Sequence, residues 1–361
     1  MESMVLYAII MSGGRGKRFW PLSQVSLPKQ FLHFAGEGTL FQQTYQRLRQ
    51  LMPADHIYTV TRQAYRQLVL EQVEEFLPEN VIVEPAQRNT APCIALGTAY
   101  IQHRAPEATI AVLPADHYIA DETRFVAALE TGLNYAIEER ELVTFGIQPE
   151  SPHTGFGYIQ VGDVIKQWSQ FRIHHAQRFI EKPDLETAQQ LIASGDYYWN
   201  SGTFCFRADV MFEALRQTLP PVHERITAFR AHIGTDVETN ALIRAFEEMP
   251  TISIDHGVME RVGRLVVIPI AVGWSDVGSW ASLRRLYSVN RNENLVMDQN
   301  LMMGGRHLLD QVTGSTVVGS GQIVVIGLND VIVSVNGAYV LVCAKDKEHR
   351  IQAMVDQLEE D

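Results

Sequence analysis

Cysteine is scarce in this chain: three among 361 residues, Cys93, Cys205 and Cys343, far apart and without a Cys-x-x-Cys pair. That spacing argues against a disulfide framework or a structural zinc site and favours buried, reduced thiols. Long apolar runs are missing as well. None approaches the about 18 residues of a membrane span, and no basic segment precedes the short apolar stretch near the N-terminus. Neither a membrane anchor nor a signal peptide is expected, and the expected compartment is the cytoplasm. Basic charge is in deficit, with 30 Lys+Arg against 42 Asp+Glu and a net charge of −12, which argues against a nucleic-acid partner. Apolar residues, at 46%, are present in ordinary measure and suffice for a sizeable core. The length suits one large domain and a smaller one.

Acidic residues are locally absent where basic ones gather. In "LYAIIMSGGRGKRFWPLSQVSLPKQF", Leu6 to Phe31, a short apolar run stops at Ser12-Gly13-Gly14. Glu2 is the one acid between Met1 and Gly36, while Arg15, Lys17, Arg18 and Lys29 are basic. A strand, a glycine-rich loop and several cations describe a phosphate cradle, because glycine lets backbone N–H groups approach phosphate oxygens. A P-loop would need Ser or Thr after its lysine, and here Lys17 precedes Arg18. A dinucleotide fingerprint lacks its third glycine, since Phe19 stands there. The nucleotidyltransferase pattern G-G-x-G-x-R with a later Pro-Lys fits at Gly13, Gly14, Gly16, Arg18 and Pro28-Lys29.

Along the first 150 residues, strand-like runs (Leu6–Met11, Ile57–Thr61, Val81–Glu84, Thr109–Leu113, Leu142–Phe145) alternate with helical patterns (Leu40–Leu51, Tyr65–Leu77, Ala91–His103, Phe125–Glu138). That alternation predicts an α/β fold with a mixed, mainly parallel sheet of Rossmann-like type flanked by helices. The middle adds strands at Tyr158–Val161, Arg172–Ile180, Gly202–Phe206 and Leu265–Ile270, and helices at Leu185–Ala193, Met211–Leu219 and Glu238–Phe246. Asn290–Asn294 reads as a linker. From Ser315 to Ala344, short Val/Ile runs punctuated by Gly and Asn predict a small β-helix-like or meander unit, closed by a helix over Lys347–Leu358. The expected domains are residues 1–289, catalytic, and 290–361, β-rich and suited to subunit contact; a homodimer is expected.

The opening stretch resembles that of the bacterial mannose-1-phosphate guanylyltransferases, a group of sugar nucleotidyltransferases. Seven later segments resemble the same family in order: "EPAQRNTAPCIAL", "LPADHYI", "TGFGYI", "FIEKPD", "WNSGTFCF", "SIDHGVME" and "GWSDVGSW". Gln24 departs from the arginine usual there, and the isomerase domain of bifunctional relatives is lacking, so a monofunctional enzyme is expected. The resemblance implies transfer of GMP from GTP to α-D-mannose 1-phosphate, with pyrophosphate leaving in line. A phosphate monoester with a second pKa of about 6 is mostly dianionic at neutral pH and needs no general base, so alignment and charge neutralisation carry the chemistry.

The implied roles fall on particular residues. Ser12, Gly13, Gly14, Arg15 and Gly16 would cradle the triphosphate, and Arg18 and Lys29 would stabilise the leaving pyrophosphate. Lys17 is expected to face solvent. Asp116 and Asp276 would hold Mg2+, Asp116 also serving the nucleotide; each could instead be a helix cap or turn residue. His117 reads as structural, since magnesium prefers oxygen. Lys182 suits the sugar phosphate and Glu181 the sugar hydroxyls, although a surface Glu-Lys pair is the plainer alternative. Gly157, Tyr158 and Asn200 would complete the sugar pocket; Tyr158 could equally be a core aromatic and Asn200 a turn residue. Glu84 suits guanine, whose adjacent N1–H and N2–H₂ donors match one carboxylate. Arg88 and Asn89 would touch base or ribose, with Asn89 equally placed as an N-cap, and Asp255 reads as an N-cap. A nucleotidyltransferase for another hexose 1-phosphate and a non-catalytic nucleotide-sugar sensor remain as alternatives.

Overall fold

The computed structural model describes residues 5–298 and 307–360. The chain runs β1 (Leu6–Met11), α1 (Leu40–Arg49), β2 (Ile57–Arg62), α2 (Arg66–Gln72), β3 (Val81–Glu84), α3 (Thr90–Arg104) and β4 (Thr109–Pro114). After β5 (Tyr118–Ile119) come α4 (Glu122–Glu139), β6 (Leu142–Ile147), β7 (Gly157–Trp168), β8 (Phe171–Glu181) and α5 (Leu185–Ser194). Then follow β9 (Tyr197–Arg207), α6 (Ala208–Thr218), α7 (Pro220–Arg230), α8 (Glu238–Glu247), β10 (Leu265–Ile270), β11 (Trp274–Ser275) and α9 (Trp280–Leu286). The remainder is β12 (Leu295–Asp298), β13 (Leu308–Asp310), β14 (Thr316–Gly319), β15 (Val324–Ile326), β16 (Val331–Asn336), β17 (Tyr339–Ala344) and α10 (Ile351–Glu360).

Nine strands form one sheet in the order β3-β2-β1-β4-β9-β6-β10-β8-β7. The pairs β3–β2, β2–β1, β1–β4 and β6–β10 are parallel, whereas β9 opposes β4 and β6, and β8 opposes β10. The sheet is therefore mixed, with most strands running one way, as the alternation predicts. Its parallel members are mostly apolar, as burial on both faces favours, with buried threonines in β2, β4 and β6; "LYAIIM" of β1 is buried at its four central residues. Helix α3 is buried nearly all round and packs in the core shared with α6, α7 and α8. Beside β1 the chain order switches, β2 lying on one side and β4 on the other, and Met11 pairs in register with Pro114. Ligands bind at such switch points in open α/β sheets.

The chain divides into two compact units, and the division departs from the expected boundary at residue 289. One unit comprises Met1–Gly13, Tyr45–Pro114 and Ile119–Gly273; the other comprises Gly14–Thr44, Ala115–Tyr118 and Trp274–Asp361. The reason is a shared core in the second unit. Phe19, Leu22 and Phe34 of the glycine-rich segment pack with Trp280 and Leu283 of α9, with Leu295, Met297, Val318 and Ile332 of the C-terminal strands, and with Ile351 and Val355 of α10. Those C-terminal strands form parallel coils, β12–β14–β16 on one face and β13–β15 on another, around Val312, Val317, Ile323, Val325 and Val333. Strand β17 ends the stack antiparallel to β16. All three cysteines are free thiols. Among the described residues no helix is long and apolar enough to cross a membrane.

Candidate active site

In the second unit, the glycine-rich loop is held by its own polar side chains. Gln30 Nε2 donates to the Gly14 carbonyl at 3.1 Å and Ser23 Oγ to that of Gly16 at 2.6 Å. Gly16 has φ 66°, and a Cβ there would lie 2.3 Å from the Lys29 Cβ; glycine is needed because Lys29 packs against it. Gly14 differs: it is exposed, with nothing within 4 Å of a Cβ position, so that apart from the Gln30 contact to its carbonyl no side chain crowds it. Arg15 is half-buried and Arg18 exposed. Lys17 does not simply face solvent as expected, since its Nζ lies 2.5 Å from Asp356 Oδ1 of α10.

Lys29 is the hub of this half. It is only 4% exposed, and its Nζ donates to Asp116 Oδ2 at 2.8 Å and to the Asp276 carbonyl at 2.5 Å. Burial pushes the Asp116 carboxyl up, but Lys29, His117 and Arg18 outweigh it and leave the group below its ordinary value. His117 is structural, as expected: its Nδ1 accepts from Trp274 Nε1 at 3.2 Å, and its Nε2 stands 3.9 Å from Asp116. Neither aspartate caps a helix. The cap of α4 is Asp121, and that of α9 is Ser279, in a reciprocal capping box with Ser282. Asp276 Oδ1 instead accepts from the Gly278 amide at 3.2 Å, and buried, β-branched Val277 between them sits at φ 42°. Such a backbone is costly and persists where the surroundings enforce it, often at functional sites.

In the first unit, Glu84 ends β3 and is 9% exposed. Burial pushes its carboxyl up to about 7, against the pull of Arg62. A Cβ on Gly13 would lie 2.9 Å from Glu84 Oε1, so the glycine-rich segment begins directly against this acid. The Ser12 hydroxyl is buried against Thr59 Oγ1 at 2.8 Å, and its amide donates to the Val60 carbonyl; the side chain is used internally. Arg88 also has an internal task, donating to the carbonyls of Phe246 and Glu247 at the end of α8. Asn89 caps α3 by accepting from the Thr90 amide. Gln87, unnoticed in the sequence, donates to the Gly13 carbonyl at 2.9 Å.

A second cluster in this unit gathers around the end of β8. Glu181 opposes Gly157 in the β7–β8 ladder, and its side chain is 5% exposed. Lys182 Nζ lies 2.8 Å from Glu181 Oε1, on a side chain 57% exposed and a backbone at φ 47°. Asn200 lies inside β9 and not in a turn, because the strand begins earlier than expected, at Tyr197. Tyr158 is a fully buried core aromatic with its hydroxyl on the His153 carbonyl at 3.0 Å, so its ring does not line a pocket. Asp255 is the residue that sequence reasoning missed. It is not a cap; Asn200 Nδ2 donates to its Oδ1 at 2.8 Å, and burial, reinforced by Glu181, pushes its carboxyl up to about 6. A polar residue opening an apolar helical turn carries no signal of a partner 55 residues away.

Residues 7–292 match the nucleotidyl transferase family. The mannose-1-phosphate guanylyltransferase of Escherichia coli K12 is 37% identical over 371 residues, covering 100% of this chain and 75% of the relative. The alginate biosynthesis protein AlgA of Pseudomonas aeruginosa is 36% identical, covering 97% of this chain and 72% of the relative. A crystal structure from Thermus thermophilus, described as a mannose-1-phosphate geranyltransferase, superposes with a TM-score of 0.86 at 34% identity, covering 99% and 100% of the two chains.

Proposed function

The chain belongs to the nucleotidyl transferase family, and from that premise we infer that it transfers GMP from GTP to α-D-mannose 1-phosphate, giving GDP-mannose and pyrophosphate. The observation that carries this reading is the Lys29 ammonium, buried and bonded to the two separate segments that bear Asp116 and Asp276. Three stretches distant in sequence converge on one cation where a phosphate chemistry needs it.

In this reading the open Gly14 backbone receives the triphosphate, with Arg15 nearby, and Arg18 and Lys29 balance the charge that gathers on the departing pyrophosphate. Exposed Lys182 engages the sugar phosphate, Glu181 the hexose hydroxyls, and the Gly157 backbone leaves room beside it. Glu84 accepts from guanine. Nothing here acts as a general base, since the attacking phosphate oxygen is already anionic. The residues that would hold a divalent cation are two carboxylates, Asp116, kept below its ordinary value beside Lys29, and Asp276, whose segment the same ammonium holds. That suits magnesium, which takes few protein oxygens and completes its shell with waters and phosphates. When bound, such an ion neutralises and orients the reacting phosphates. The contact of Arg88 and Asn89 with the nucleotide has no geometric support, because both are committed elsewhere.

The partner is a second copy of the chain. Leu308, Val324 and Ile326 on the coils and Val340 and Val342 on β17 are each more than half exposed, an apolar surface that suits association. Light scattering should return twice the 40.7 kDa of the chain; a monomer at assay concentration would contradict it. The function itself is tested by pyrophosphate release with each NTP crossed against a panel of hexose 1-phosphates. GTP with mannose 1-phosphate should give the highest kcat/KM, and a preference for another pair would replace the assignment.

A further inference from the structure

The polar atoms around Asn200 are already accounted for on one side. Asn200 Oδ1 accepts from the Thr144 hydroxyl at 3.0 Å and from the Gly202 amide at 3.3 Å. Its Nδ2 donates one hydrogen to Asp255 Oδ1 at 2.8 Å. Rotating the amide by half a turn would set N–H against the Gly202 N–H and oxygen against a carboxylate, so these partners fix the orientation. Asn200 therefore has one N–H left to offer, and no acceptor. Asp255 and Glu181 are the opposite: both are acceptors when ionised, and they stand close enough to raise the Asp255 carboxyl's proton affinity. Asn200 is the one side chain hydrogen-bonded to Asp255 among the described residues. Among the described residues Glu181 has a single ammonium partner, Lys182, which is largely exposed. The Glu181 side chain is buried and Asp255 half-buried with one further hydrogen bond from its own backbone, and two neighbouring acids with so few donors are costly unless a ligand supplies hydrogens.

We propose that Asp255 is a specificity-determining residue that accepts a hydrogen bond from a hexose hydroxyl and, through its other oxygen, holds Asn200 as a donor to the same sugar. This rests on the reading of the Glu181–Lys182 cluster as the sugar 1-phosphate site. The arrangement is two acceptors and one fixed donor, which matches adjacent hydroxyls: each gives its hydrogen to a carboxylate, and one receives the Asn200 N–H. A site built this way discriminates strongly against an analogue lacking the hydroxyl, because the carboxylate is then left without its donor.

The test is steady-state kinetics of wild type and Asp255→Asn with GTP and mannose 1-phosphate each varied, together with melting temperatures. Asparagine keeps the size and still accepts from Asn200, so folding is preserved. The KM for mannose 1-phosphate should rise by about ten-fold or more while the KM for GTP is unchanged. Singly deoxygenated mannose 1-phosphates sharpen the result: one of them should be penalised in wild type and lose little further in Asp255→Asn. The ratio of the two proteins' sugar KM values should fall toward one as pH drops below about 6, where Asp255 becomes protonated; the ratio cancels the titration of the substrate phosphate. Glu181 and Lys182 face Asp255 from β8, with Glu260 and His256 on its own helical turn, and all four are common to both proteins. An unchanged sugar KM in a folded, active Asp255→Asn overturns the inference alone. A wild type that uses no hexose 1-phosphate overturns it together with the function it rests on.

Discussion

Glu84 ends β3 and Asp116 follows β4 in the chain, yet their surroundings push the two carboxyls in opposite directions. Asp116 has an ammonium at 2.8 Å and stays ionised below its ordinary range. Glu84 is buried with only the remoter pull of Arg62 and titrates at about 7. Asp255 resembles Glu84, at about 6. The difference teaches how labour is divided. In the proposed reading, the side where phosphates react has cations, and Lys29 keeps Asp116 charged there. In the same reading, the side where a base or a sugar is to be read has carboxylates short of donors, which the ligand would supply. Loss of the first kind should damage turnover, and loss of the second kind should damage recognition.

The largest expected effect lies on the phosphate side. Asp276→Asn keeps the shape of the Gly278 turn and removes a charge, so turnover should fall about 10²–10³-fold with little change in melting temperature. Since Ser279 and not Asp276 caps α9, a stability loss with intact turnover would break the comparison. Assay against magnesium concentration should show partial recovery at high metal.

A smaller effect lies on the reading side. Raising the Glu84 carboxyl from 4.5 to about 7 means the folded protein binds that proton more tightly than the unfolded chain. Its contribution favours folding below the unfolded value and is lost as pH rises through about 7, a span worth about 3 kcal/mol. Glu84→Gln should therefore melt higher than wild type at pH 8 and about equal to it near pH 5. Asp116 has the reverse sign: its contribution is present at neutral pH and is lost as pH falls below the ordinary carboxylate range. Equal melting temperatures of wild type and Glu84→Gln at pH 8 would show that Glu84 is not sheltered as described.

Much of this was legible in the chain. The strand–helix alternation located β1 to β4 within a residue or so, because buried parallel strands are predominantly apolar and β-branched. Helix α2 ends at Gln72, earlier than expected, and α7 escaped notice behind Pro220-Pro221. The coils announced themselves through their glycine punctuation. The core they share with Phe19 and Leu22 did not, since no local pattern records contacts across about 300 residues. Within the site, residue types were legible and their partners were not. Gly16 is expected in the phosphate cradle, and nothing in the sequence shows that it also makes room for Lys29. The bonds of Arg88 to the end of α8 left no trace in the sequence, and Asp255 looked like a cap but faces Asn200.

The division of labour is tested most directly by the ratio of kcat/KM for GTP to that for ATP, measured in wild type and Glu84→Gln. Glutamine puts a donor where guanine's own donors point, so the account predicts that the ratio collapses by about 10²-fold or more, chiefly through GTP. A ratio that stays at the wild-type value while both rates fall together would place Glu84 with the catalytic residues and contradict the account.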